Sequence, residues 1–270
     1  MIFDCFMFFN EEELLEIRLH ELDSVVDKFV IVEAHQTFAG QDRDLVFPKL
    51  AHKWDEFRDK IIYASVRMPY GTQNSRFANR AREIYQRESI KEVLRKNDIQ
   101  DRDVVLVSDM DEIPSKDDIL YAANGPQPAV FMQDAFYYYV NNRYIAHNNE
   151  KWYGTAVFRW YHLKDMKPSH PCDLTFIEEK KRSYHTISSG WHFSYLGGTE
   201  SVKNKVLAFA APDEWGTQGV LESLEARLST NQDLFGRQAI RLKRIDLDEI
   251  KYPKYLLENQ KKFSHLIMEK

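Results

Sequence analysis

Cysteine is nearly absent from this chain: Cys5 and Cys172 are the only two, far apart in 270 residues. Such a pair builds no disulfide framework, and both are read as free thiols in a compartment that is reducing or indifferent to redox. Glycine is also scarce, at 10 residues, and neither a GxxxxGK loop nor a GxGxxG turn occurs. Any phosphate site must therefore use a metal and side chains in place of a glycine cradle. His147, His162, His170 and His185 show no His-x-x-x-His spacing, which argues against a dedicated zinc site. No repeat, low-complexity tract or Gly/Ser linker divides the sequence, so residues 1–270 are read as a single domain.

Apolar runs of membrane-spanning length are missing too. The opening "MIFDCFMFFN" is apolar, but it is short, carries no basic leader and runs at once into "EEELLEIRLHEL". It reads as neither a signal peptide nor a transmembrane segment. The expectation is a cytoplasmic protein, with a peripheral visit to a membrane left open. Basic residues number 37 against 42 acidic, a net charge of −5, which excludes nucleic acid as a partner. Aromatic side chains are plentiful, at 13%. They suit either a thick core or a site that stacks flat ligands such as sugars, and composition does not choose between these.

Residues 11–22 read as a helix, with Leu14, Leu15 and Leu22 on one side and Glu11, Glu12 and Glu13 loading its positive N-terminal end. "KFVIVEA" (28–34), "IIYASV" (61–66) and "VVLVSD" (104–109) are short apolar runs of strand type, the first of them reaching Glu33 at its end. A helical pattern from Ser75 to Lys96 separates the second from the third. Pro114, Ser115, Asp117 and Asp118 look like the opening of another helix. This order argues for an α/β half with parallel strands and right-handed connections, and ligands belong at the carboxyl ends of such strands. From residue 129 onward, "AVFMQDAFYYYVNNRYIAH" and "WYGTAVFRWYHL" look antiparallel and aromatic. Helical patterns follow near 199–211 and 219–229. The last stretch, with Tyr255, Leu256, Phe263, Leu266 and Ile267, is expected to close the core rather than form a dimer.

The apolar strand "VVLVSD" runs into Asp109, Asp111 and Glu112. Two carboxylates one residue apart at a strand end can both turn toward a hard divalent cation, which keeps positions open for phosphate oxygens. The plainer alternative is turn punctuation and helix capping by Asp109, Glu112 and Asp117. His192 in "GWHF" is either a further ligand or a histidine satisfied by a backbone carbonyl. Arg76, Arg80, Glu83 and Arg87 step along one stripe of a helix, beside an apolar stripe of Phe77, Ala81, Ile84 and Tyr85. That helix would lie against the sheet and offer Arg80 and Arg87 to a diphosphate. Alternatively, pairs of Glu83 with Arg80 and Arg87 lace a solvated face. "FYYYVNNRY" (136–144) would alternate faces as a strand, one set filling the core and the other filling a second face or stacking a sugar. Trp152 and Trp191 carry the same two readings.

Taken in order, "DCFMFFNEEELLEIRLHEL", "KFVIVEA", "SDMDEIPS", "GWHFSYLGG" and "PKYLLENQKKFSHLI" resemble glycosyltransferase family 17 along nearly the whole chain. The pairing of "DMDEIP" with "GWH" is much more specific than a lone Asp-x-Asp. The resemblance implies a GT-A fold, with a Rossmann-like nucleotide half, a mixed sheet and an aromatic-rich acceptor half. It also implies a UDP-sugar donor, with GlcNAc preferred, and a manganese or magnesium ion. Asp109 and Asp111 look like its Asp-x-Asp motif and His192 like a C-terminal ligand to the metal. Glu33 looks like a nucleoside contact and Lys205 like a contact to the diphosphate.

The resemblance leads to an inverting transfer in which a carboxylate base activates an acceptor hydroxyl, with Glu112 and Asp134 as the candidates. The sequence shows no membrane anchor or stem of the animal type, so the expected acceptor is a surface polysaccharide, a lipid-linked saccharide precursor or a small glycoside. Two other readings stand beside this one: a nucleotidyltransferase or metal phosphohydrolase, and a carbohydrate-binding protein without turnover.

Overall fold

Ile2–Phe8, which the sequence presents only as a short apolar opening, is an inner strand, β1, of a computed structural model that describes residues 1–69, 71–146, 151–166, 184–208 and 217–270. Expected features at Cys172, His147, His170 and the end of the 199–211 helix lie outside the described residues. After β1 come α1 (Glu12–Leu22), β2 (Lys28–Ala34), the one-turn α2 (Phe47–Leu50) and β3 (Ile61–Val66). Next are α3 (Arg76–Lys96), β4 (Val104–Asp109), β5 (Glu112–Ile113) and α4 (Lys116–Asn124). The second half holds β6 (Ala129–Tyr137), β7 (Asn142–Ala146), β8 (Lys151–Arg159), the short α5 (Trp160–Leu163) and β9 (His185–Ser194). It ends with α6 (Gly198–Ala208), α7 (Thr217–Ser229), β10 (Ile240–Arg244) and α8 (Lys254–Glu258).

The strands form one mixed sheet in the order β10-β7-β6-β8-β4-β1-β2-β3, and β9 joins through β6 and β5. β1, β2, β3 and β4 are parallel, so their carboxyl ends line one edge. β8 then runs antiparallel to β4 and to β6. The expected first strand, with Glu33, is thus the second, and β1 lies inside the parallel part, between β4 and β2. Phe6 and Phe8 meet α1 and the C-terminal segment on one face, where Leu256, Phe263 and Leu266 are fully buried. Phe3 and Cys5 face α3 on the other. Burial pushes the Cys5 thiol pKa up, so this cysteine is an inert part of the core. Among the described residues no helix is long and apolar enough to cross a membrane.

α3 reverses the expected facing. Its buried side in the first three turns is Ala78, Asn79, Arg82, Glu83, Gln86 and Arg87, while Phe77 is 84% exposed and Ile84 and Tyr85 reach solvent. The cause is what lies beneath. This part of α3 covers the loops after β2 and β3, whose backbone carbonyls need donors. Arg82 donates to Phe38 O, Gly71 O and Gln73 O, and Gln86 Nε2 donates to Val32 O at 2.9 Å. Only the later turns, through Ile90, Val93 and Leu94, rest on the apolar sheet. The "FYYYVNNRY" run is not one strand either: β6 stops at Tyr137, and Tyr138 turns the chain with a φ of 70°.

Candidate functional site

Alternation along β4 sends Ser108 toward α1 and Asp109 toward α3. Asp109 Oδ1 there meets Arg87 Nη2 at 2.9 Å. Arg87 is 1% exposed and also touches Glu83 at 3.2 Å. Burial works against its charge, but Asp109 and Glu83 outweigh it and raise the guanidinium pKa. Arg87 is therefore an internal counter-ion and not an open phosphate arm. Arg80 pairs with Glu83 at 2.7 Å and is the more exposed of the two arginines.

The turn after Asp109 is gripped from α1. Arg18, fully buried, donates Nη1 to the carbonyls of Asp109 (3.2 Å), Met110 (3.2 Å) and Glu112 (2.9 Å). Its Nε and Nη2 bind both oxygens of Asp4 on β1 at 2.7 and 2.6 Å, and Nη2 also reaches Ser108 Oγ at 2.6 Å. This planar fork fits the turn as a flexible ammonium would not. Neither Arg18 nor Asp4 was singled out from the sequence. The available signal was a charge inside each apolar run, "LLEIRLHEL" and "IFDCFMF".

Glu112 is fully buried. Its Oε2 accepts the Asp109 N–H at 2.9 Å and its Oε1 the Trp152 indole N–H at 2.7 Å. Such a carboxylate shapes the turn. β5 then pairs Glu112 with His192 and Ile113 with Trp191 on β9, which joins the "DMDE" and "GWH" segments. Gly190 permits the approach: its φ is 89°, and a Cβ there would lie 2.6 Å from Ile113 O. Trp191 is a core residue, while Trp152 stacks on His192 with ring centroids 4.4 Å apart.

Asp111 is the focus of this arrangement. Its carboxylate is 5% exposed, with Lys205 Nζ 2.5 Å from Oδ2, Ser194 Oγ 3.4 Å from Oδ2 and His192 Nε2 3.6 Å from Oδ1. Burial opposes its ionisation, but Lys205 and His192 overcome that and hold the carboxyl well below the usual carboxylate range. Asp111 is charged, beside an imidazole whose Nδ1 has no hydrogen-bond partner among the described residues. An ionised oxygen and an imidazole nitrogen at this separation fit a divalent cation. The fit covers Asp111 and His192; Asp109, as placed, is turned to Arg87. Among the described residues no group of three His, Cys, Asp or Glu side chains is gathered as a metal cage.

Two expected site residues are not brought to this cluster. Asp134 pairs in register with Trp191, and Ala135 with His192, so alternation puts Asp134 on the sheet face opposite His192. It accepts from Lys151 Nζ at 2.7 Å and Arg143 Nη2 at 2.9 Å. Glu33 is fully buried and organises the loop after β2: Oε1 accepts from Val46 N (2.7 Å) and Arg43 Nη2 (2.9 Å), Oε2 from Tyr63 Oη (3.0 Å) and Phe47 N (3.1 Å).

Comparison with known sequences decides the relationship: the profile of Glycosyltransferase family 17 matches residues 1–269. The chain belongs to glycosyltransferase family 17. This family-17 chain is 23% identical, over 96% of its own length, to the Beta-1,4-mannosyl-glycoprotein 4-beta-N-acetylglucosaminyltransferase of Rattus norvegicus and to that of Homo sapiens. The match covers 53% of each, so the chain spans about half the length of the curated relatives it matches. Superposition on a Bacillus anthracis structure described as a glucose-1-phosphate thymidylyltransferase gives a TM-score of 0.39 at 10% identity, over 71% of this chain and 88% of that one. That is too loose to carry an argument.

Proposed function

We propose that this chain is a metal-dependent, inverting glycosyltransferase of GT-A type that moves a sugar from a UDP-sugar to a hydroxyl of a glycan or lipid-linked saccharide. The names of its relatives favour GlcNAc as that sugar. The observation that carries the reading is the ionised, buried Asp111 beside His192 at the carboxyl edge of the parallel strands, in a chain matched by the family from end to end.

Asp111 and His192 would hold the cation, with Asp109 a third ligand if its carboxylate turns from Arg87. The cation, when bound, supplies positive charge against the departing UDP. Lys205 adds a second positive charge on the same side. Glu112, Arg18 and Trp152 keep the turn and the imidazole in place, so that little reorganisation accompanies the reaction. Glu33 acts through the loop it orders, and Arg80 in preference to Arg87 contributes guanidinium charge near the donor. The acceptor hydroxyl attacks the anomeric carbon from the face opposite the diphosphate, which inverts the centre. The hydroxyl proton passes to a carboxylate base, for which Glu112, which accepts from two donors as placed, and Asp134, on the sheet face opposite His192, are the candidates.

Calorimetric titration of UDP-GlcNAc into metal-stripped protein, with and without manganese, tests this reading without an acceptor. Binding that requires manganese is the expected result. Absence of binding in both conditions, for UDP-GlcNAc and for a panel of other nucleotide sugars, overturns it. Release of UDP during turnover separates glycosyl transfer from nucleotidyl transfer, which would release pyrophosphate.

A further inference from the structure

Asp111 already has a cationic partner. The Lys205 ammonium lies 2.5 Å from its Oδ2, 3.9 Å from Glu11 Oε1 and 5.4 Å from the centre of the Tyr195 ring. The ammonium thus lies between two carboxylates, with its positive charge directly on Asp111. The other oxygen of Asp111 faces His192. A divalent cation between Asp111 and His192 would therefore meet an ammonium bound to the same buried carboxylate, where little water screens the repulsion.

Lys205 has somewhere to go. Its stem is flexible and its side chain keeps 25% of its exposure, against 6% for Asp111. Glu11 is a fixed second acceptor, because its Oε2 is held by the N–H groups of Phe9 and Asn10 at 3.2 and 3.0 Å. Glu11 lies just past β1, at the N-cap of α1 and on the carboxyl edge where a diphosphate would enter.

Building on the metal-dependent donor reading, we propose that Lys205 competes with the divalent cation for Asp111 in the unloaded protein and is drawn off by the donor diphosphate. Cation and nucleotide then bind as a coupled pair. The diphosphate would offer the ammonium the anionic oxygens it gives up at Asp111, and the vacated Oδ2 would be free to help hold the cation. Coupling of this kind is reciprocal: UDP must tighten manganese by the same factor as manganese tightens UDP.

The test is manganese binding followed by the electron paramagnetic resonance signal of the free ion, with and without UDP, for wild type, Lys205→Met and Lys205→Arg. Thermal melting confirms that each variant is folded. Lys205→Met is expected to bind manganese at least about tenfold tighter than wild type without nucleotide, and to gain less from UDP. Lys205→Arg keeps the charge and should bind manganese as weakly as wild type. Manganese binding by folded Lys205→Met that equals or falls below wild type overturns the competition while leaving the metal reading intact. No manganese binding by any folded form, with or without UDP, overturns both.

Discussion

The indole of Trp152 serves two partners at once: its Nε1–H donates to Glu112 Oε1 at 2.7 Å while its ring stacks on the imidazole of His192, centroids 4.4 Å apart. One side chain thus braces the carboxylate that holds the Asp109 N–H and the histidine beside Asp111. Trp152→Phe keeps much of the stacking surface and removes the donor. The buried Glu112 oxygen then loses a charge-assisted partner, a cost of about 1–3 kcal/mol. Urea denaturation should show a lowered midpoint, and calorimetry a weaker manganese-dependent affinity for UDP. A variant with wild-type values in both would mean that Glu112 and His192 are held without Trp152.

Arg18 combines two roles that mutation can separate. Breaking its buried ion pair with Asp4 by Arg18→Met should destabilise by about 3–5 kcal/mol, because a carboxylate is left in the core. Adding Asp4→Leu removes that stranded charge and should recover part of the loss. Recovery stays incomplete because the carbonyls of Asp109, Met110 and Glu112 have lost their common donor. Donor binding should remain weak in the double variant even where its urea midpoint approaches wild type. A double variant that regains both would reduce Arg18 to a partner of Asp4.

These two residues also show what the sequence could and could not reveal. β2, β3 and β4 are legible as apolar runs closed by turn residues, and α3 as a long pattern capped by Ser75, whose hydroxyl accepts the Ala78 N–H at 3.3 Å. The opening run reads only as short and apolar, and the lone acid within β1 makes sense only once Arg18 is seen beside it. The facing of α3 was misread because periodicity reports that a helix has two sides and not which side its neighbour needs. At the site, spacing points to Asp109 and Asp111, and the family resemblance adds His192. The direction of each side chain depends on strand register. Alternation on β4 sends Asp109 to Arg87, and the β6–β9 register sends Asp134 away from His192.

Glu21 offers a test of pH dependence away from the site. It is buried, accepts the Lys254 N–H at 2.9 Å, and burial raises its carboxyl pKa above the ordinary value. A carboxyl whose folded pKa exceeds its unfolded one disfavours the fold when ionised. The penalty is present above the folded value and disappears as pH falls through it to the unfolded value of about 4.3. Glu21→Gln keeps an acceptor for Lys254 without the charge. Its urea midpoint should exceed that of wild type near pH 8 and lose this advantage near about pH 4. An advantage that does not change with pH would mean that Glu21 titrates alike in both states.

Asp111 is buried and Asp134 half-buried, and both carboxylates pair with lysine, yet the sheet assigns them opposite fates. Asp111 meets Lys205, His192 and Ser194 at the carboxyl edge. Asp134 meets Arg143 and Lys151 on the other face. Neutralising either should cost stability, about 1–3 kcal/mol, because each leaves a partly buried cation with a poorer partner. Their effects on function should diverge. Asp111→Asn removes the charge that would hold the cation, and manganese-dependent UDP binding should fall by about a hundredfold or more. Asp134→Asn should leave that binding and the turnover of UDP-sugar within about threefold of wild type, since a neutral amide on the far face alters no group at the cluster. Measuring both variants at a temperature where each is fully folded separates the two effects. Loss of turnover in folded Asp134→Asn with donor binding intact would single out Asp134 as the base, and would require the acceptor to reach the site from the face that carries Arg143 and Lys151.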